Sequence, residues 1–218
     1  MVRVFAKVCG DIKNRHIAAK EESGMAEMLE IRWHGRGGQG AKTAALLLAE
    51  AAAAAGKYVQ AFPEYGPERM GAPVVSYNRI SDAPITIHSA VTSPRYVAVL
   101  DHTFIGAIDF TTGMPPHSVL LINSPGRAED LYRQLQIDGE SIKLYTLDAS
   151  RISEETIGRA IPNTPMLGAM VAATKIMAID ELLQDTEERL RKKFRDRPKL
   201  ITGNLAAITQ AYEEVQRQ

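Results

Sequence analysis

The sequence predicts an α/β fold, a three-layer sandwich with a mixed, mostly parallel, Rossmann-like sheet and additional C-terminal helices. Two observations indicate this. First, a short strand-like stretch at 29–34 leads through a glycine-rich turn into an alanine- and leucine-rich helix at 41–55, which is how a βα unit begins. Second, continuous apolar runs at 96–100 and 118–123 are typical of strands buried in the centre of a parallel sheet.

Composition limits the class of protein. The chain has 218 residues, with 26 Lys and Arg against 26 Asp and Glu, so it lacks the basic excess of most nucleic-acid-binding proteins. Cys9 is the only cysteine, so the chain has no internal disulfide and cannot hold an iron–sulfur cluster by itself. No apolar run reaches the roughly 18 residues of a membrane helix. We expect a cytoplasmic protein, with 1–24 as an N-terminal extension that does not resemble a signal peptide and 25–218 as one domain.

The other elements follow from apolar periodicity and turn residues. A second strand is predicted at 58–62, and a β-hairpin is predicted from 74–80 and 85–88, because Ser81–Pro84 between them is typical of a turn. Further helices are predicted at 126–135, 150–160, 163–177, 181–197 and 200–215, and a strand at 142–147. The helix at 163–177 is small and apolar nearly all round, which predicts burial in the core or in an interface. The charge-dense helix at 181–197 is interpreted as a solvated face.

The turn between the first strand and the first helix is the main candidate for a binding site. Glycines allow positive φ and close approach of a ligand, and a helix N-terminus offers free N–H groups that bind anions. The candidate binding residues are Gly35, Arg36, Gly37, Gly38, Gln39, Gly40, Lys42 and Thr43. The arginine and lysine add positive charge, and the spacing fits neither G-x-G-x-x-G nor a P-loop. The turn therefore binds a phosphate-bearing group of another kind or, alternatively, is a tight structural turn that binds nothing.

Two other segments allow a functional and a structural interpretation. The loop at 63–73 follows a strand and lies where α/β proteins bind ligands, although a structural crossover is the interpretation we favour for the loop alone. Asp101-His102-Thr103 follows the strand at 96–100. We interpret Asp101 or Thr103 as a helix cap rather than as part of a catalytic Asp–His pair, because no serine or cysteine nucleophile is evident. No catalytic residue and no metal ligand is predicted.

Three blocks of the sequence together resemble a known family. They read HGRGGQGAK at 34–42, AFPEYGPERMGAP at 61–73 followed by YNRI at 77–80, and IPNTPMLGA at 161–169. Jointly they resemble the gamma subunit of pyruvate:ferredoxin oxidoreductase (pyruvate synthase), a member of the 2-oxoacid:ferredoxin oxidoreductases. The resemblance extends over about residues 29–217 and leaves out 1–24.

The resemblance implies a function within a complex. Such complexes split pyruvate with thiamine diphosphate and magnesium, release carbon dioxide, pass electrons through iron–sulfur clusters to ferredoxin, and form acetyl-CoA. It implies that partner subunits hold these cofactors, and that this chain helps to bind coenzyme A as a substrate and is not catalytic alone. The stretch at 67–73 resembles the pyruvate and branched-chain type more than the 2-oxoglutarate type.

Several alternatives stay open from the sequence. The chain could serve an oxidoreductase for another 2-oxoacid, whether branched-chain, aryl or 2-oxoglutarate. It could also be a stand-alone module that binds coenzyme A or a nucleotide, or a scaffold whose glycine turn is purely structural. No nucleic-acid or membrane partner is predicted. As a subunit, the isolated chain should oxidise no 2-oxoacid and carry no iron.

Overall fold

A six-stranded sheet forms the centre of the computed structural model, which describes residues 28–64 and 71–218. The strands are β1 Leu29–Arg36, β2 Tyr58–Pro63, β3 Pro73–Ser81, β4 Tyr96–Val99, β5 Ser118–Asn123 and β6 Ile142–Leu147. Their order across the sheet is β2-β3-β1-β4-β5-β6. The predicted extension at 1–24, including Cys9, lies outside the described residues.

The sheet is mixed and mostly parallel, which confirms the sequence prediction. Strands β1, β4, β5 and β6 run parallel to one another, while β3 lies antiparallel to both β1 and β2. Strands β4 and β5 carry continuous apolar residues because both faces of this part of the sheet are covered. The carboxyl ends of β1 and β4 lie side by side at one edge, which places the glycine turn next to Asp101.

The predicted hairpin between 74–80 and 85–88 is wrong. Strand β3 ends at Ser81, and residues 85–88 form no strand and are largely exposed. The reason is that β3 already pairs with β1 on one side and with β2 on the other, so no free edge remains for a third partner. The antiparallel part of the sheet is real, but its strands are β2, β3 and β1.

Helices cover both faces of the sheet and complete the three layers. They are α1 Ala41–Ala54, α2 Ala128–Leu135, α3 Ala149–Ile157, α4 Asn163–Thr174, α5 Ile179–Lys193 and α6 Pro198–Gln216, with a short 3₁₀-helix at His102–Phe104. Helices α1, α3, α4, α5 and α6 pack in one core with one face of the sheet. Helix α2 and the 3₁₀-helix pack in a second core on the other face.

Helix α4 lies at the centre of the larger core, as its apolar sequence predicts. Every residue from Thr164 to Ala172 is buried. A Cβ at Gly168 would lie 2.2 Å from the carbonyl oxygen of Ile208, so glycine at this position lets α4 and α6 approach closely. Among the helices of the described residues, none combines the length and apolar character needed to cross a membrane.

Candidate functional site

The turn between β1 and α1 has a backbone that only glycine adopts easily. Gly38 has φ +100° and Gly40 has φ +86°, both in the left-handed region that disfavours other residues. Inside the turn, the Gln39 N–H donates to the Arg36 carbonyl oxygen at 3.0 Å. The Gly37 N–H donates to the Ala72 carbonyl oxygen at 2.9 Å. The turn is therefore fixed by its own hydrogen bonds and by the segment that leads into β3.

The start of α1 has the properties of an anion site. Gly40 is the N-cap and supplies no side-chain acceptor, and the first turn contains no acidic residue. The first intrahelical bond runs from the Ala44 N–H to the Gly40 carbonyl oxygen at 2.8 Å. Preceding N–H groups at a helix start have no intrahelical acceptor and favour an anion. The exposure of Gly38 leaves this backbone open to solvent.

Arg36 is held by other residues of the chain. Its Nε donates to the Asp101 Oδ2 at 2.8 Å, and its two terminal nitrogens donate to the Gly71 carbonyl oxygen at 3.2 Å and the Thr103 Oγ1 at 2.8 Å. The guanidinium carbon also lies 4.2 Å from the centre of the Phe104 ring. The sequence predicts only that Arg36 adds positive charge near the turn, whereas the structure places this side chain in a network of hydrogen bonds.

Asp101 connects that network to Gln39. The Gln39 Nε2 donates to the Asp101 Oδ2 at 2.8 Å, and the Gln39 Oε1 accepts from the Arg36 N–H at 2.7 Å. Burial alone would raise the pKa of Asp101, but hydrogen bonds from Thr103, Gln39 and Arg36 outweigh it and lower the pKa below its ordinary value. The carboxylate is therefore ionised at neutral pH and acts as the common acceptor for both residues of the turn.

The interpretation of Asp101 as a cap is confirmed. Its Oδ1 accepts from the Thr103 N–H at 3.0 Å and so caps the 3₁₀-helix. His102 is exposed, and its Nδ1 lies 3.2 Å from the Asn123 carbonyl oxygen. The same Asp101 carboxylate thus has two structural functions, as a helix cap and as the partner of the glycine turn.

Lys42 and Thr43 lie on different sides of the α1 N-terminus. Both are exposed. Lys42 borders a small cavity of about 70 Å³ beside Leu46 and Phe62. Thr43 borders a much larger groove of about 740 Å³. A ligand at the turn could contact either side chain, and the two sides offer very different amounts of space.

The third sequence block meets the first one at Gly40. A Cβ on Gly40 would lie 2.7 Å from the Asn163 Nδ2, so this asparagine packs directly on the turn. Asn163 is the first residue of α4, and its Oδ1 accepts from the Thr164 N–H at 2.9 Å. The starts of α1 and α4 are therefore neighbours, and both border the large groove.

The large groove was not predicted from the sequence. Its apolar floor is formed by Leu47, Ile157, Ile161, Leu190, Phe194 and Leu200. Four basic side chains also line it: Arg159, Lys193, Arg197 and Lys199. The signal in the sequence was the basic stretch at 192–199, which we interpreted only as part of a solvated helix face.

His34 lies behind the turn, on β1. Its side chain is 6% exposed and packs edge-on against Phe110, with ring centres 5.2 Å apart. Its Nε2 has no hydrogen-bond partner within the described residues. Burial, together with the nearby charge of Arg32, lowers the pKa of His34 to about 4. The imidazole is therefore buried in its neutral form at physiological pH.

The structure brings most of the candidate residues together at the start of α1, where some form the turn and others hold it in place. Residues 37–40 form the turn, Gly35 and Arg36 are the last residues of β1, and the side chains of Arg36 and Gln39 hold the turn through Asp101. Sequence reasoning missed the part that Asp101 and Asn163 play at the turn. Asp101 could have been found from its position at the end of β4, since parallel strands place their carboxyl ends at one edge of the sheet. The loop residues 65–70 lie outside the described residues.

With this fold and this turn, the chain is an α/β domain with a glycine-rich βα turn at the carboxyl edge of its sheet. The chain belongs to the pyruvate ferredoxin/flavodoxin oxidoreductase family, whose family model matches residues 30–214.

Named relatives agree with this family. The chain is 45% identical to pyruvate synthase subunit PorC of Thermotoga maritima, over 85% of this chain and 94% of that protein. It is 40% identical to the pyruvate/ketoisovalerate oxidoreductases common subunit gamma of Pyrococcus furiosus, over 87% of this chain and 98% of that protein. The crystal structure of pyruvate oxidoreductase subunit PORC from Thermotoga maritima matches with a TM-score of 0.72 and 41% identity, covering 86% of this chain and 96% of that one.

The neutral state of His34 predicts a pH dependence of stability. The unfolded chain, with an ordinary histidine pKa of about 6.5, binds a proton that the folded chain accepts only near its lowered pKa of about 4. The contribution of His34 to the free energy of unfolding is therefore greatest at neutral pH and is lost as the pH falls. The free energy of unfolding should decrease by about 2 kcal/mol between about pH 7 and about pH 5 through His34.

Urea denaturation at each pH measures this effect. His34→Gln should have a flatter pH dependence than the wild type, while His88→Gln, at an exposed position, should keep the wild-type slope. Equal slopes for His34→Gln and the wild type would show that His34 does not lose its proton on folding.

Proposed function

We propose that this chain is the gamma subunit of a pyruvate:ferredoxin oxidoreductase. The observation that carries the proposal is the 45% identity to pyruvate synthase subunit PorC of Thermotoga maritima over 94% of that protein. In the proposed complex, pyruvate, coenzyme A and oxidised ferredoxin give acetyl-CoA, carbon dioxide and reduced ferredoxin. Thiamine diphosphate, magnesium and the iron–sulfur clusters belong to the partner subunits. The three sequence blocks that suggest this family include the turn and Asn163, which pack on each other.

Within that complex, this chain contributes to binding of coenzyme A. The proposed contact is between the phosphates of coenzyme A and the N–H groups at the start of α1, with Gly38 leaving the backbone open. Lys42 and Thr43 are exposed at the same helix start and can add a charge and a hydroxyl. Arg36 supports this site as a positioning residue, since its guanidinium is engaged with Asp101 and Thr103.

A second candidate function has its own support. The relative from Pyrococcus furiosus is named as a common subunit of pyruvate and ketoisovalerate oxidoreductases. A chain of this type could serve complexes for two 2-oxoacids, with the substrate chosen by the partner subunits. Substrate preference of the complete complex, measured with pyruvate and with branched-chain 2-oxoacids, distinguishes the two candidates.

The subunit proposal predicts activity only in an assembled complex. The chain purified alone should reduce no ferredoxin with pyruvate and coenzyme A. The same chain, tagged and isolated from its source, should co-purify with thiamine- and cluster-containing chains and with that activity. Mass spectrometry of the isolated complex and a ferredoxin reduction assay provide the measurement. Pyruvate-dependent turnover by the chain alone would contradict the proposal.

The coenzyme A proposal predicts a selective effect at the turn. Gly38→Val places a β-branched residue at φ +100° and obstructs approach to the helix start. In the assembled complex it should raise the KM for coenzyme A by roughly tenfold or more, which corresponds to losing about one charge-assisted contact of 1.5–3 kcal/mol. Arg36→Ala should act in the same direction, because the turn loses its bracing. The KM for pyruvate should change little in both variants.

The chain offers a matched control at the other end of α1. Gly56 has φ +82° and, like Gly38, has open space around the position of a Cβ. Gly56→Val therefore introduces the same kind of backbone strain without touching the turn, and it should leave the KM for coenzyme A unchanged. If Gly38→Val behaves like Gly56→Val in a fully assembled complex, the turn is structural.

A further inference from the structure

The groove beside the turn differs from the rest of the surface in its charge. Most basic residues on the helices are neutralised by a carboxylate one turn away. Examples are Arg151–Glu155, Arg189–Asp185, Arg191–Glu187, Lys192–Glu188 and Arg217–Glu213. The four basic residues of the groove make no ion pair within the part of the chain that the structure describes. Among the described residues that line the groove, Asp196 is the one acidic residue. The groove therefore has an excess of positive charge in a chain whose formal net charge is zero.

The position of two of these basic residues at the start of α6 is unfavourable for the isolated chain. Helix α6 begins at Pro198 without a side-chain cap, and no acidic residue occupies its first turn. Lys199 lies in that turn instead, with Arg197 just before it. A helix N-terminus carries a partial positive charge and is stabilised by anions, so lysine and arginine there oppose the helix dipole. A local arrangement that works against stability is expected at functional sites.

The floor of the groove shows what kind of anion fits. It is apolar, and it includes Ile161, one of the few large apolar residues that are 36% exposed or more. The basic residues are distributed around this floor, on the α3–α4 connection (Arg159), the end of α5 (Lys193) and the start of α6. A bare phosphate would need clustered cations and no apolar floor. An apolar centre with a charged rim is instead the usual anatomy of a protein–protein contact.

We propose that this groove is the docking site for an acidic segment of another subunit of the oxidoreductase. An apolar side chain of that segment occupies the floor, and flanking Asp or Glu residues pair with the four basic residues and with the uncapped start of α6. The proposal rests on the proposed function, because it requires that the chain assembles with other subunits. The volume of about 740 Å³ is enough for several side chains.

A charge reversal tests this directly. In Arg197→Glu/Lys199→Glu, both substitutions place an acidic residue at or before the first turn of α6, where it favours the helix dipole. The variant should therefore have an unchanged or higher Tm. Its association with the complex of the remaining subunits, captured on a sensor surface, should be weaker by about tenfold or more, because like charges now face each other. The difference should shrink as sodium chloride is raised from about 50 to about 500 mM.

The control has the same change in net charge and lies in the last turn of α5. Arg191→Glu/Lys192→Glu reverses two exposed cations of α5 that pair with Glu187 and Glu188 and do not line the groove. This control should associate like the wild type. A weaker association of the groove variant alone, together with an unchanged Tm, supports the proposal.

Three other outcomes overturn it. If the groove variant assembles like the wild type, the groove is not the docking site, although the proposed function stands. If it assembles normally but has a raised KM for coenzyme A, the groove binds a small anionic ligand. A wild-type chain that fails to assemble with the other subunits contradicts the proposed function itself, and the docking site with it.

Discussion

The Asp101 carboxylate is the group on which the candidate site depends. It joins the end of β4 to the turn after β1 by accepting hydrogen bonds from the side chains of both Arg36 and Gln39, while its other oxygen caps the 3₁₀-helix. Only one end of this connection is exposed, since the Asp101 side chain is 10% exposed and that of Arg36 is 37% exposed. Charge-assisted hydrogen bonds in such a partly buried position are stronger than surface ion pairs. The turn is thus held in one conformation by contacts within the protein.

This connection changes how Arg36 is interpreted. Arg36 ends β1 directly before the turn, and a positive charge next to a glycine-rich turn suggests direct contact with a phosphate. Its partner is 65 residues away, and nothing in the local sequence indicates the pairing. Only the parallel register of β1 and β4, in which His34 lies beside Val99, brings the two residues together. The buried strands β4 and β5 and the apolar helix α4 were predictable because each is defined by a local sequence pattern. The Arg36–Asp101 pairing was not predictable because it depends on how distant strands pair.

The incorrectly predicted hairpin also shows that local sequence does not determine which strands pair. Ser81–Pro84 has the composition of a turn, and this composition predicts a change of chain direction but not a second strand after it. Whether the following residues pair as a strand depends on a free edge, and β1 and β2 occupy both edges of β3. The groove was not predictable from local patterns, because its lining comes from five helices, α1, α3, α4, α5 and α6, whose packing the local sequence does not reveal. The turn and the groove lie next to each other, because Asn163 packs on Gly40 of the turn and also lines the groove.

Asp101 holds the turn through the side chains of Arg36 and Gln39. Amide hydrogen exchange of Asp101→Asn, measured by mass spectrometry on the chain without coenzyme A, tests whether the carboxylate is required. The amides of Gly37 and Gln39 should exchange at least about tenfold faster than in the wild type, since their local opening becomes easier, while the amides of β5 keep their protection. Equal exchange at the turn in both proteins would mean that the glycine turn keeps its shape without the Asp101 carboxylate, contrary to this interpretation.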